Sequence, residues 1–148
     1  MAILAFNKRS GFDYQLMNRY EAGIVLIGSE VKSVKTGHIS LKGSFVTFKG
    51  NEVHLTNANI PLYVHAGKIK NYDPTRPRKL LLKKSEIKSL IGKVRISGLT
   101  LVPIRVYTKK RLIKLEFAVA KGKKEYDKRH DIAKREATRK MERTLKNS

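Results

Sequence analysis

The residues able to do chemistry in this chain do not converge. Before the last 28 residues the carboxylates are Asp13, Glu21, Glu30, Glu52, Asp73, Glu86 and Glu116, with no pair spaced to share a catalytic face. The histidines His38, His54, His65 and His130 stand apart, without the spacing of a metal site. Asp127, His130 and Asp131 could line one helical face around a cation, but they stand among Lys and Arg that would repel it. There is no Gly-rich phosphate loop and no Gly-x-Ser-x-Gly elbow. Zero Cys excludes disulfides, thiolate zinc sites and Cys nucleophiles together. The expectation is a protein with no catalytic residues, no metal and no cofactor, which is not an enzyme.

Charge is the positive signal. With 33 Lys+Arg against 12 Asp+Glu in 148 residues, the formal charge is +21, and a polyanionic partner follows. Nucleic acid is the commonest one. A membrane surface is the competing polyanion, but no apolar run approaches the roughly 18 residues of a spanning helix, and Met1 to Phe6 is too short for a secretory core. A soluble, cytoplasmic chain is expected. Asn7-Lys8-Arg9 could lay two cations and an amide against phosphates. Asp73-Pro74-Thr75-Arg76-Pro77-Arg78-Lys79 reads as an extended loop presenting Arg76, Arg78 and Lys79 outward, anchored by Leu80, Leu81 and Leu82. Tyr63 and Tyr72 could stack on bases or pack in the core. At 7% aromatic, the composition suits recognition of folded RNA by shape and phosphate geometry.

The elements that must position these groups are mostly strands. Phe12, Tyr14 and Leu16, then Tyr20, Ala22, Ile24 and Leu26, alternate as one face of a strand, with a bend at Met17-Asn18. Phe45 to Lys49 and Glu52 to Thr56 form a hairpin about Gly50-Asn51, a pair that readily takes positive φ. Thr100 to Tyr107 and Leu112 to Val119 form another about Lys109-Lys110, which forces Pro103 to an edge or bulge. Two short helices interrupt them. One starts at Ser29-Glu30 and ends at Gly37; the other has Ser85 as N-cap, with Ile87, Leu90, Ile91 and Val94 inward and Lys84, Lys88 and Lys93 outward. An antiparallel barrel or sandwich is expected, one domain of residues 1–120.

Residues 121–148 are different, with 7 Lys and 4 Arg against 2 Asp and 3 Glu, a net +6. Ile132, Met141 and Leu145 are too few to build a core, so the tail should be disordered alone and helical when bound. As a helix it shows Ala133, Ala137, Met141 and Leu145 as a narrow stripe among cations.

In this order the blocks Asn7-Lys8-Arg9, Tyr20-Glu21-Ala22-Gly23-Ile24, Gly28-Ser29-Glu30-Val31-Lys32-Ser33, Asp73-Pro74-Thr75-Arg76 with Arg78-Lys79-Leu80-Leu81-Leu82, and Ala120-Lys121-Gly122-Lys123-Lys124 with Asp127-Lys128-Arg129 resemble one family nearly end to end. It is that of the SsrA-binding proteins, or small protein B, partners of transfer-messenger RNA in bacterial ribosome rescue. The resemblance implies an oligonucleotide-binding-type antiparallel β-barrel with short flanking helices, gripping the transfer-RNA-like domain of that RNA as a monomer in a 1:1 complex. It implies Asn7, Glu21 and Leu81 on the RNA side, with Lys8, Arg9, Arg76, Arg78 and Lys79 supplying charge. Glu21 would accept hydrogen bonds from base or sugar groups, or orient a neighbouring Arg. The tail, through Gly122, Lys123, Lys124, Tyr126, Asp127, Lys128, Arg129, Arg139, Arg143 and Leu145, would enter the decoding centre and messenger channel of a stalled ribosome. Elongation factor Tu would join through the shared RNA. Ala137 and Thr138 depart from the pattern, standing where family tails often carry bulkier apolar residues. The other reading is a constitutive structural protein of the ribosome, equally basic and tailed.

Overall fold

A computed structural model describes residues 1–67, 71–95, 98–123 and 125–146, the side chains of 125–128, 130, 131, 145 and 146 excepted. Its elements in order are β1 (Ala2–Phe6), α1 (Ser10–Asp13), β2 (Tyr14–Ile24), α2 (Gly28–Lys35), β3 (Phe45–Lys49), β4 (Glu52–Thr56), β5 (Arg78–Leu81), α3 (Lys84–Val94), β6 (Leu99–Lys109), β7 (Leu112–Gly122) and α4 (Glu125–Lys146). The strands pair in the order β1-β6-β3-β4-β5-β2-β7, all antiparallel, and β7 returns to β6. Six strands thus close into a ring, with β1 added along the outside of β6. Closure removes the exposed edges that an open sheet would leave.

Inward side chains fill the ring: Val46, Val53, Leu55, Leu80, Leu101, Val106, Leu115, Phe117 and Val119 are buried together. The alternation of side chains along each strand is what delivers them. The bend at Met17-Asn18 is a register shift between Leu16 and Arg19 against β7, and Pro103 sits at a second shift before Arg105. Gly50 takes φ +61 in the β3–β4 turn. The β6–β7 turn falls one residue later than expected, on Lys110 and Arg111, both left-handed at φ 49 and 69.

Both helices form where expected, but their serines do not cap them. At α2 the Glu30 carboxylate accepts the Ile27 N–H at 3.0 Å, and at α3 the Glu86 carboxylate accepts the Lys83 N–H at 3.2 Å. The acid at the third helical position reaches back for an orphan donor. Leu90 carries α3 into the core, and Lys93, expected outward, turns its Nζ onto the Tyr20 hydroxyl at 2.7 Å.

Two strands were not legible as such. β1 lies in the first residues, and β5 occupies the stretch read as a basic loop. Its alternation runs Arg78 in, Lys79 out, Leu80 in, Leu81 out. The backbone of residues 121 and 122 continues the β7 ladder, and α4 follows as a 22-residue helix.

Candidate nucleic-acid interface

Cross-strand register builds the outer face. Glu21 on β2 lies opposite Glu116 on β7, Glu116 opposite Arg105 on β6, and Arg105 opposite Phe6 on β1. Partners directly across a ladder share a face, so two carboxylates stand side by side there, an unfavourable pairing unless each is compensated. Each is. Glu116 receives Arg19 Nη1 at 3.1 Å and Arg105 Nη2 at 3.0 Å. Glu21 accepts the Tyr107 hydroxyl on Oε2 and Lys109 Nζ on Oε1 at 3.5 Å.

This arrangement fixes the chemistry of Glu21. The Tyr107 hydrogen bond, with the Lys109 charge behind it, holds its carboxyl below the usual range against the opposing effect of burial, so it is ionised and accepts only. Burial and the neighbouring Glu21 carboxylate push the Tyr107 phenol up, which keeps it a donor. A carboxylate has about four lone-pair positions, and protein groups take two of these. The rest can accept from a base edge or a ribose hydroxyl. Arg19 and Arg105, the arginines on this face, bond Glu116 and not Glu21.

Leu81 joins the same face. It pairs with Gly23, two residues along β2 from Glu21, and is 55% exposed. A Cβ at position 23 would lie 3.5 Å from Leu81 Cβ, so the glycine leaves the leucine open ground. Lys79 points outward beside it, paired with Glu52 at 3.2 Å.

Arg78 corrects the sequence reading. It is buried, with Nε and Nη2 on Glu30 Oε2 at 2.9 and 2.6 Å and Nη1 on the Ala58 carbonyl oxygen at 2.7 Å. Arg76 is drawn to the same carboxylate, its Nε 3.1 Å from Oε2, with a third of its side chain left exposed. Burial pushes the Glu30 carboxyl up, but bonds from Arg76, the Ile27 N–H and Arg78 outweigh it and hold it below the usual carboxylate range. Tyr72 completes the cluster, donating to the Ile60 carbonyl oxygen at 2.5 Å. The arginines of the Asp73 to Lys79 stretch therefore fasten the loop inward. Lys79 is the outward cation of the stretch, its charge shared with the exposed Glu52.

Asn7 is likewise engaged. Its Nδ2 donates to the Pro103 carbonyl oxygen at 2.9 Å and its N–H to that of Ile104 at 2.7 Å, satisfying the carbonyls of the β6 bulge. Lys8 and Arg9 are exposed, with Arg9 paired to Asp13 at 3.2 Å and set over the Phe12 ring at 4.7 Å.

At the tail, Gly122 ends β7, and Lys123 ties its N–H to the Asp13 carbonyl oxygen at 2.9 Å and its Nζ to that of Gly11 at 3.0 Å. Arg135 of α4 lies over the Phe12 ring at 5.6 Å. Arg129, Arg139 and Arg143 are exposed, as are Ala133, Ala137 and Met141 of the narrow stripe. Lys124 lies outside the described residues, and so do the side chains of Tyr126, Asp127, Lys128, His130, Asp131 and Leu145. Among the described residues no group of His, Asp and Glu is placed to hold a metal, and no helix is long and apolar enough to cross a membrane.

Sequence reasoning missed Tyr107, Glu116 and Arg105 as the frame around Glu21. Alternation along Arg105, Tyr107 and Lys109 was the available signal.

The geometry can be set beside known proteins. The SmpB protein family model matches residues 4–147. SsrA-binding proteins of Chloroflexus aggregans and Thermosipho africanus are each 51% identical, over 99% of this chain and 92% and 98% of theirs. A solved structure described as "tmRNA-SmpB: a journey to the center of the bacterial ribosome" is similar at a TM-score of 0.66 and 45% identity, covering 81% of this chain and 84% of that one. With a family match across nearly its whole length, this chain belongs to the SmpB protein family.

Proposed function

We propose that this chain binds the transfer-RNA-like domain of transfer-messenger RNA through its outer β face and carries that RNA to stalled bacterial ribosomes for trans-translation. The observation that carries this reading is the full-length kinship with SsrA-binding proteins, joined to a +21 charge on a fold with an ordered polar face around Glu21. Glu21 and Leu81 form the recognition centre. Lys79, Lys8 and Arg9 hold phosphates beside it, and Arg76 and Asn7 act mainly by fixing the loop and strand that present these groups. The exposed cationic helix α4 is the ribosome-facing part, suited to the RNA walls of the decoding centre and messenger channel. The protein acts by binding, without catalysis, in the cytoplasm, and meets elongation factor Tu through the shared RNA.

The test is titration of the isolated transfer-RNA-like domain. A 1:1 complex is expected, weakening steeply as salt rises because counterions return to the phosphates. Equal affinity for a structured RNA of the same length would overturn the specific reading. Presence in every small subunit, rather than enrichment on stalled ribosomes, would favour the constitutive ribosomal protein.

A further inference from the structure

A groove of about 510 Å3 lies between the end of β1 and the 39–45 segment, lined by neither Glu21 nor Leu81. Its size falls in the range of small-ligand sites, about 300–1,000 Å3. Phe6 and Phe45 line it, 57% and 46% exposed, and Tyr14 adds a third aromatic residue. Lys8, Arg9 and Lys42 line it too, against a single carboxylate, Asp13, which is already paired with Arg9.

We propose that this groove receives an unpaired nucleobase of the bound RNA, with Phe6 and Phe45 as stacking surfaces and Lys8, Arg9 and Lys42 taking the adjoining phosphates. The inference rests on the RNA-binding reading above and adds a base-specific contact to it. Apolar rings with cations around them match a nucleotide, which has both a π face and an anion. A second copy of this chain is a poor occupant, since both carry +21.

Both walls are preformed. Asn7 is stitched to Pro103 and Ile104 on one side. On the other, Ser44 Oγ donates to the Leu41 carbonyl oxygen at 2.6 Å, Asn57 Nδ2 to that of Gly43 at 3.0 Å, and Ser40 and Asn59 exchange backbone bonds at 2.9 and 3.0 Å. A built groove costs little ordering when a base enters.

The probe is a short RNA hairpin with one bulged 2-aminopurine, compared with the same hairpin lacking the bulge. Tighter binding of the bulged hairpin is expected, by about 5- to 100-fold from base–aromatic stacking, with quenching of the 2-aminopurine fluorescence. Phe6→Ala and Phe45→Ala should bind the bulged hairpin no better than the unbulged one and lose the quench, while Phe45→Tyr should restore both. Lys42→Glu, a change outside the core, should weaken the bulged hairpin more than the unbulged. Equal wild-type affinity for the two hairpins, or a quench that survives both alanine variants with melting curves unchanged, would overturn the base site and leave general RNA binding standing. Failure of the wild type to bind either hairpin or the transfer-RNA-like domain would overturn both.

Discussion

Glu30 and Arg78 form an enclosed ion pair, Oε2 to Nη2 2.6 Å, with neither side chain exposed, although 48 residues separate them in the chain. The pair joins α2 to β5 and, with Arg76 on the same carboxylate, fixes the loop that leads into β5. Glu30→Gln leaves the Arg78 charge buried without a counterion, an arrangement that costs about 3–5 kcal/mol. Urea unfolding should show that loss. Because the folded carboxyl titrates below its ordinary 4.5, the pair contributes fully above that value and loses its contribution as pH falls through the lower folded value. The stability gap between wild type and Glu30→Gln should therefore shrink on acidification. A gap independent of pH below 4.5 would contradict the ion pair.

Asn7 makes a sharper distinction possible between donor and acceptor roles. Asn7→Ala leaves the Pro103 carbonyl of the bulge without its partner, at a cost of about 1–3 kcal/mol. Asn7→Asp keeps an acceptor for the Arg9 N–H, 3.3 Å away in the wild type, but has no donor for Pro103. It should be at least as unstable as the alanine variant. Hydrogen exchange should quicken along β1 and the second half of β6 in both. An aspartate variant as stable as wild type would show that the amide serves something other than the bulge.

How far the sequence could lead is visible in these two residues. The hairpin at Gly50-Asn51, the bulge at Pro103 and the helix about Leu90 each announce themselves through turn chemistry or local spacing. β5 does not, because Arg78 holds an inward position where alternation calls for an apolar residue. Only Glu30, brought near by the closing of the ring, makes that position tolerable for a charge. Glu30 itself reads as an acid in a first helical turn, which is half of its role; its other half depends on Arg76 and Arg78, distant in the chain. Asn7 reads as a free polar residue beside two cations because its partner carbonyl lies 96 residues away. Local signals find elements, and buried charge between distant elements escapes them.

The β6–β7 turn offers a stabilising change. Lys110 and Arg111 both occupy left-handed backbone, at a cost of roughly 1 kcal/mol or more each for residues with a Cβ. Replacing them by Asn-Gly suits the same two-residue turn, and a gain of about 1–2 kcal/mol is expected in thermal or urea unfolding. The same variant removes two cations near the Glu21 face, so RNA affinity should fall modestly as stability rises. Lowered stability would mean that the lysine and arginine side chains support the turn in ways the backbone angles do not express.

Where body and tail can be separated follows from Lys123. Cutting after Lys121 would remove the Gly122 rung opposite Tyr14 and both Lys123 bonds, to the Asp13 and Gly11 carbonyls, and so would loosen α1 with the tail. Cutting after Lys123 spares them. The residues then lost, 124–148, hold 5 Lys and 4 Arg against 5 acids, a net +4 of the total +21. The shortened chain should melt like the full one and bind the transfer-RNA-like domain within a few-fold, with nearly the same salt slope. Tagging of nascent peptides on stalled ribosomes should cease. Glu21→Ala in the full chain should do the reverse, weakening the RNA complex at the outer face with α4 intact. Because one variant keeps the RNA complex and loses the ribosomal step while the other loses the complex first, measuring RNA affinity and tagging on both separates the two roles. If truncation after Lys123 also destroyed RNA binding with an unchanged melting curve, the tail would have to be counted part of the RNA interface.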